Sequence, residues 1–101
     1  MSREPKTPIR IMAVITFVVH VHTENGANDI EGALVHFEPR TSGLEPIPGD
    51  KLTGSNGQAS FQVNAGRYDI EVYHPDFQDD IHLNKNVSVT NSPDHFYLQA
   101  T

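Results

Sequence analysis

Apolar and polar residues alternate in short runs along most of the chain, and Gly, Asn, Asp and Pro separate these runs. No stretch repeats apolar residues every three or four positions, the spacing typical of a helix packed on one side. The alternating runs predict strands over residues 13–23, 32–38, 51–53, 59–63, 67–74, 81–89 and 96–99. Seven short strands separated by turns predict an all-β fold, a seven-stranded antiparallel two-sheet sandwich.

The first predicted strand differs from the others because both of its faces carry apolar residues. Its core-facing positions are predicted to be Ile15, Phe17, Val19 and Val21. The opposite face carries Met12, Val14 and Val18 before it becomes polar at His20 and His22. A strand that is apolar on both faces is usually covered on both. In a fold without helices, the cover is expected to be a loop of the same chain, a folded-back arm or another chain.

The later strands also yield expectations about the core. Val87 and Val89 are expected to point inward, and Phe77, in the acidic loop 76–80, is expected to plug one end of the sandwich. Pro39 and Pro75 are expected to end the strands that precede them, because proline cannot donate to a sheet ladder.

Charge divides the chain into two parts. The chain has 101 residues, which fits one domain, and it has no Cys, which excludes a disulfide framework. Residues 1–11 hold three basic residues and one acidic residue, a net +2, whereas residues 12–101 hold four basic and twelve acidic ones, a net −8. We therefore expect an extended basic arm over 1–11 and a single domain over 12–101. An acidic body argues against general nucleic-acid binding.

The apolar run from Ile11 to Val21 is shorter than the ~20 residues needed to span a membrane. It also runs into a His-rich polar segment where a signal peptide would have its cleavage site. We expect no membrane span.

Three segments carry a family resemblance: residues 30–37 (IEGALVHF), 52–61 (LTGSNGQASF) and 65–72 (AGRYDIEV). They resemble carboxypeptidase regulatory-like and prealbumin-like (transthyretin-like) domains. The resemblance implies a sandwich of the prealbumin/Ig-like type. It does not fix the function, because such domains serve as accessory folding units, adhesion spacers, ligand binders, virion components and occasionally enzymes.

The sharpest enzymatic alternative within that resemblance is a hydroxyisourate hydrolase. That family places a catalytic Tyr-Arg-Gly-Ser segment after its last strand, and residues 95–101 read HFYLQAT instead. His20 or His22 match that family's first His only loosely. We therefore expect no catalytic residue and no enzymatic activity.

Six His in a short chain raise a metal alternative. His20 and His22 share one strand face, and His36 joins them if the second strand pairs with the first. Three imidazoles are suitable ligands for zinc or copper. However, outward strand positions tolerate His, and no spacing here forces the three together. The prediction is therefore no metal and no cofactor.

The acidic loop with Asp76, Asp79 and Asp80 raises a calcium alternative. It lacks the regular ligand spacing of a dedicated calcium loop, so a solvated loop is the preferred interpretation.

These observations favour a non-enzymatic structural or binding module that docks on or builds a larger assembly. A virion decoration or tail-associated protein is one such role, which implies a virion-surface or extracellular location. The partner is expected to be a protein or a second copy, bound through the arm and the first strand, at Arg3, Lys6, Arg10, Met12, Val14 and Val18. The alternatives are an extracellular adhesion or carbohydrate-binding accessory domain and the hydrolase.

Overall fold

The computed structural model describes residues 14–44 and 47–101, which form an all-β structure as predicted. The strands are β1 (Val14–Thr23), β2 (Leu34–Pro39), β3 (Lys51–Leu52), β4 (Gln58–Asn64), β5 (Gly66–Tyr73), β6 (Asp80–Val87) and β7 (Asp94–Leu98). A single turn of 3-10 helix, η1 (Val89–Asn91), precedes β7. In the described ranges, no helix is long and apolar enough to cross a membrane.

The strands form two sheets, with the orders β4-β1-β7 and β3-β2-β5-β6. Every pairing is antiparallel except that of β1 with β7, which is parallel. The prediction of a wholly antiparallel sandwich was therefore wrong for this pair. β1 and β7 are far apart in the chain, and the chain crosses from the other sheet before β7, which provides the long connection that a parallel pair requires.

One core lies between the two sheets and receives side chains from both. Phe37 of β2 contacts Phe17 of β1 edge-on, with ring centroids 6.3 Å apart, and Phe61 of β4, at 4.8 Å. The inward positions expected for β1 are confirmed, since Phe17, Val19 and Val21 are fully buried and Ile15 packs against the core. Alternation therefore located the core of β1 correctly, because neighbouring side chains of a strand point to opposite faces.

Val89 departs from the expected pattern, since it is 68% exposed whereas Val87 is fully buried. β6 ends at Val87, and Val89 begins η1, so the period of two no longer applies there. Phe77 packs against the core from the loop before β6, as expected for a plug.

The outer face of β1 is only partly apolar. Val14 is 62% exposed, and Val18 is half-buried. The expectation that this face is covered is therefore not met at Val14 by the described part of the chain. The residues expected to bind a partner upstream, Arg3, Lys6, Arg10 and Met12, lie outside the described residues, as does the arm over 1–11.

Candidate functional site

Three histidines converge on the outer face of the three-stranded sheet. His20 and His22 lie on β1, and His95 lies on β7 directly beside His20 in the parallel register. One ligand nitrogen from each imidazole lies within 4.8 Å of the other two. No other group of three metal-ligating side chains of this kind occurs among the residues that the structure describes.

His22 is the centre of the cluster. Its Nε2 lies 2.8 Å from Nδ1 of His95, so one of these nitrogens donates a hydrogen bond and the other accepts it. The rings of His20 and His22 lie close together as well, with centroids 3.9 Å apart. An accepting imidazole nitrogen must be unprotonated, so the contact between His22 and His95 requires at least one of these two rings to be neutral.

Asp29 joins the cluster from the loop between β1 and β2. Its Oδ1 lies 3.0 Å from Nε2 of His20 and 3.4 Å from Nδ1 of His22. Residues 28–30 run antiparallel beside the end of β1, where the backbone N–H of Ile30 donates to the carbonyl of Val21 at 2.9 Å. This local pairing holds the carboxylate against both imidazoles.

Gly57 allows the turn before β4 to lie against the same region. Its φ is +75°, a conformation that favours glycine. A Cβ atom there would lie 2.6 Å from the carbonyl oxygen of Val21 and 2.8 Å from Cβ of Asp29. The close approach lets the Gly57 carbonyl accept a hydrogen bond from the N–H of Val21 at 2.7 Å. Any larger residue would have to displace either the end of β1 or Asp29.

Tyr97 closes one side of the cluster. Its ring stacks on that of His22, with centroids 4.9 Å apart and planes at 17°. His22 is therefore largely buried, whereas His95 remains exposed. A molecule or ion in solution thus reaches the cluster directly at His95.

The environment of His22 favours its neutral form. Burial lowers its pKa from the usual value of 6.5, and the neighbouring imidazoles of His20 and His95 lower it further, against the opposing effect of Asp29. A neutral imidazole is the form that accepts a proton or binds a metal ion.

His36 does not belong to this cluster. β2 pairs with β3 and β5 in the other sheet, so the hypothesis that His36 joins His20 and His22 was wrong. Its Nδ1 lies 2.7 Å from Asp50 and its Nε2 lies 3.1 Å from Glu38. These hydrogen bonds, that to Asp50 foremost, raise the pKa of His36 above 6.5 and favour the cation.

The sequence did not identify His95 and Asp29 as members of the cluster. His95 depends on long-range pairing, since it is 73 residues from His22. The only local signal is the His20-x-His22 spacing, which is also common on ordinary outward strand faces. Asp76, Asp79 and Asp80, considered as calcium ligands, join no group of three ligating residues in the described chain.

The outer face of the four-stranded sheet has a different character. It carries acidic groups around His36, together with exposed apolar side chains on the edge strands β3 and β6. The acidic residues are Glu38, Asp50, Asp69 and Glu71, and the apolar ones are Leu52, Ile81 and Leu83. Leu34, Leu52 and Tyr73 line an open groove of about 340 Å³ at one end of this face.

Comparisons with known proteins assign no family. No protein-family model matches the sequence, and no curated protein shows significant similarity to it.

Proposed function

We propose that the protein is a non-enzymatic binding module that docks on or builds a larger assembly through its basic arm. The observation that carries this proposal is the acidic and partly apolar outer face of the four-stranded sheet. The arm has the complementary chemistry, with Arg3, Lys6 and Arg10 beside the apolar Ile9 and Ile11. We assign the docking surface to this face on a second copy of the chain.

The charge of the face supports this assignment. Glu38 and Asp50 bracket His36, and Glu71 lies opposite His36 in the β2–β5 register. Asp69 forms an ion pair with Arg40 at 3.2 Å, so its charge is partly balanced. Arg67, on the same side of β5 as Asp69 and Glu71, adds a second arginine. The face still carries a negative excess, with four carboxylates against Arg40, Arg67 and His36, and complementary charge guides association and sets its orientation.

The apolar part of the face supplies area that can be buried. Leu52 and Leu83 are 63% and 64% exposed. Large side chains left this exposed contribute to binding when a partner removes them from water.

Addition of a strand at the β4 edge is disfavoured. The ammonium group of Lys51 donates to the backbone carbonyl of Ser60 at 2.5 Å and lies over the ring of Phe61. Lys51 lies on β3, in the other sheet, and its side chain reaches across to β4, so the Ser60 carbonyl already has a donor that an added strand would have to displace. This favours docking on the sheet face rather than at that edge.

The finer features of the proposal rest on resemblance. Residues 30–37, 52–61 and 65–72 support a sandwich of the prealbumin type. Fold-level analogy then supports a virion decoration or tail-associated role, at a virion surface or outside the cell.

Light scattering of the full chain and of a variant lacking residues 1–11 tests the proposal. The full chain is expected to self-associate with increasing concentration, and the truncated variant to remain monomeric. Glu71→Lys on the acidic face is expected to weaken association, whereas Glu31→Lys, in the turn before β2, is expected to leave it unchanged. Equal behaviour of the full and truncated chains, or equal effects of the two reversals, would contradict the proposed docking surface.

A second candidate function is a hydrolase of the hydroxyisourate type. One observation favours it, since His22 and His95 lie within hydrogen-bond reach, as acid–base catalysis requires. Turnover of hydroxyisourate that is lost in His95→Gln and kept in His36→Gln would establish this activity. Absence of turnover in the full chain would exclude it.

A further inference from the structure

The geometry points to a binding site for a late first-row divalent transition metal ion, Zn²⁺ or Cu²⁺, formed by His20, His22 and His95. Asp29 orients two of these ligands. This site lies on the three-stranded sheet, away from the proposed docking face, and the inference does not depend on the proposed function.

The donor set determines the class of metal. Three imidazoles without a thiolate suit zinc, copper or nickel, whereas magnesium and calcium require oxygen ligands. Zinc sites with three protein ligands keep a fourth position for water or another molecule. Exposed His95 leaves room for such a ligand at the outer side of the cluster.

The distances are compatible with a shared ion after small side-chain rotations. Zinc binds imidazole nitrogen at about 2.0–2.1 Å, so tetrahedral nitrogen ligands lie about 3.3 Å apart. Nε2 of His22 and Nδ1 of His95 are 2.8 Å apart, slightly closer than this. The full set of ligand atoms lies within 4.8 Å, up to about 1.5 Å wider than the spacing of tetrahedral zinc ligands. A metal ion inserted between His22 and His95 replaces their mutual hydrogen bond and draws His20 inward.

The backbone already holds the ligands in place. His20 and His22 point to the same side of β1 because they are two residues apart, and the parallel register aligns His95 with His20. Ligands on paired strands retain their spacing better than ligands on loops, which reduces the entropy lost on metal binding.

Asp29 supplies a further feature typical of metal sites. When Nε2 of His22 binds the metal, its Nδ1 carries the proton and faces Oδ1 of Asp29 at 3.4 Å. A carboxylate on the far nitrogen fixes the tautomer and the ring orientation of a ligating His. The same oxygen, 3.0 Å from Nε2 of His20, restrains that ring as well.

The other described histidines are less suited to the role. Nδ1 of His74 accepts a hydrogen bond from the backbone N–H of Asp76 at 3.1 Å, and His74 belongs to no group of three ligating residues. Both nitrogens of His36 face carboxylates. His82 hydrogen-bonds through Nδ1 to Asp94 at 2.9 Å and stacks on Phe96. A stoichiometry of one ion per chain is therefore expected.

Calorimetric titration of the tag-free full chain with ZnCl₂ at pH 7.5 tests the inference, with MgCl₂ as the hard-cation control. We expect one Zn²⁺ per chain and no Mg²⁺ binding at the same concentration. His22→Gln and His95→Gln are expected to weaken zinc binding more than about 100-fold, because loss of an orienting partner alone costs about 10–100-fold. Asp29→Asn is expected to fall within that smaller range, and His36→Gln is expected to bind like the unmodified chain.

The imidazole ¹⁵N shifts provide a readout that does not depend on stability. On addition of one equivalent of Zn²⁺, the nitrogens of His20, His22 and His95 are expected to shift and those of His36 to remain in place. His95 is exposed, so His95→Gln is expected to fold. Its zinc affinity can therefore be measured even if His22→Gln does not fold. Absence of zinc binding, or an equal loss of affinity in His36→Gln and His95→Gln, would overturn the inference.

Discussion

His22 and His36 occupy comparable positions in the two sheets but have opposite surroundings. Each lies on an inner strand of its sheet, β1 or β2, and points away from the core. His22 is surrounded mainly by other imidazoles and is buried beneath Tyr97. His36 lies between the carboxylates of Asp50 and Glu38 and remains more exposed.

The difference shows that the role of an outward His is set by the residues that strand pairing places beside it. Burial, and then the neighbouring imidazoles, lower the pKa of His22 and favour its neutral form. Hydrogen bonds to its carboxylate neighbours raise the pKa of His36 and favour a cation, which balances part of the negative charge of the acidic face. The two residues have the same intrinsic chemistry, so their difference arises entirely from the fold.

Gly57→Ala is expected to have the largest effect, because it disturbs the surroundings of His22 but not those of His36. The added Cβ meets Val21 and Asp29, and the positive φ adds strain, so we expect a loss of about 3 kcal/mol in unfolding free energy, together with weaker zinc binding. Urea denaturation measures the loss.

Gly32→Ala is the matched control for this change. Gly32 has φ +79°, but a Cβ atom added there would have no neighbouring atom within 4 Å, so only backbone strain of about 1 kcal/mol is expected. Equal losses at Gly57 and Gly32 would show that the close contact at the cluster has no structural importance.

Zinc itself is expected to stabilise the fold. At a free concentration about one hundred times its Kd, an ion that binds only the folded state adds about 2.7 kcal/mol to the unfolding free energy. Thermal unfolding with zinc and with a chelator measures this gain, which His36→Gln should keep and His95→Gln should lose. A gain that survives in His95→Gln would locate the bound ion elsewhere.

Asp94 and His82 differ from both of these histidine sites, because here a buried carboxylate holds the imidazole and contributes to stability. Asp94 is buried and contacts Nδ1 of His82 at 2.9 Å and the ammonium of Lys85 at 3.2 Å. Asp94→Ala is expected to cost about 2 kcal/mol, because it leaves both partners without this acceptor. Asp80→Ala is the control, since Asp80 is far less buried than Asp94 and lies 3.7 Å from His82, so its loss should cost less than about 0.5 kcal/mol. Similar costs for the two variants would contradict a specific role for the buried carboxylate.

The smallest expected effect is the pH dependence due to His36. A raised pKa means that the stabilisation by His36 is fully present below about pH 6.5 and is lost as the pH rises through the folded-state pKa. His36→Gln should therefore lower stability by less than about 1 kcal/mol at pH 5.5 and leave it unchanged at pH 9. Urea denaturation at both pH values measures the difference, and a larger loss at pH 9 would contradict the assignment.

The sequence predicted the features that depend on local alternation. It located the seven strands and the inward positions of β1, and it failed at Val89, where a 3-10 turn replaces the strand. It did not predict the parallel β1–β7 pairing, because the chain crosses between sheets before β7. The assignment of strands to sheets also explains the two errors at the site, the omission of His95 and the inclusion of His36. Residues that meet only through such long-range pairing leave no periodic signal in the sequence.

NMR titration of the imidazoles in the metal-free full chain tests the contrast between the two histidines most directly. We predict that His36 titrates above pH 6.5 and His22 below it, because carboxylates surround the former and burial among imidazoles affects the latter. Titration of both residues at the usual value, or in the reverse order, would contradict this contrast.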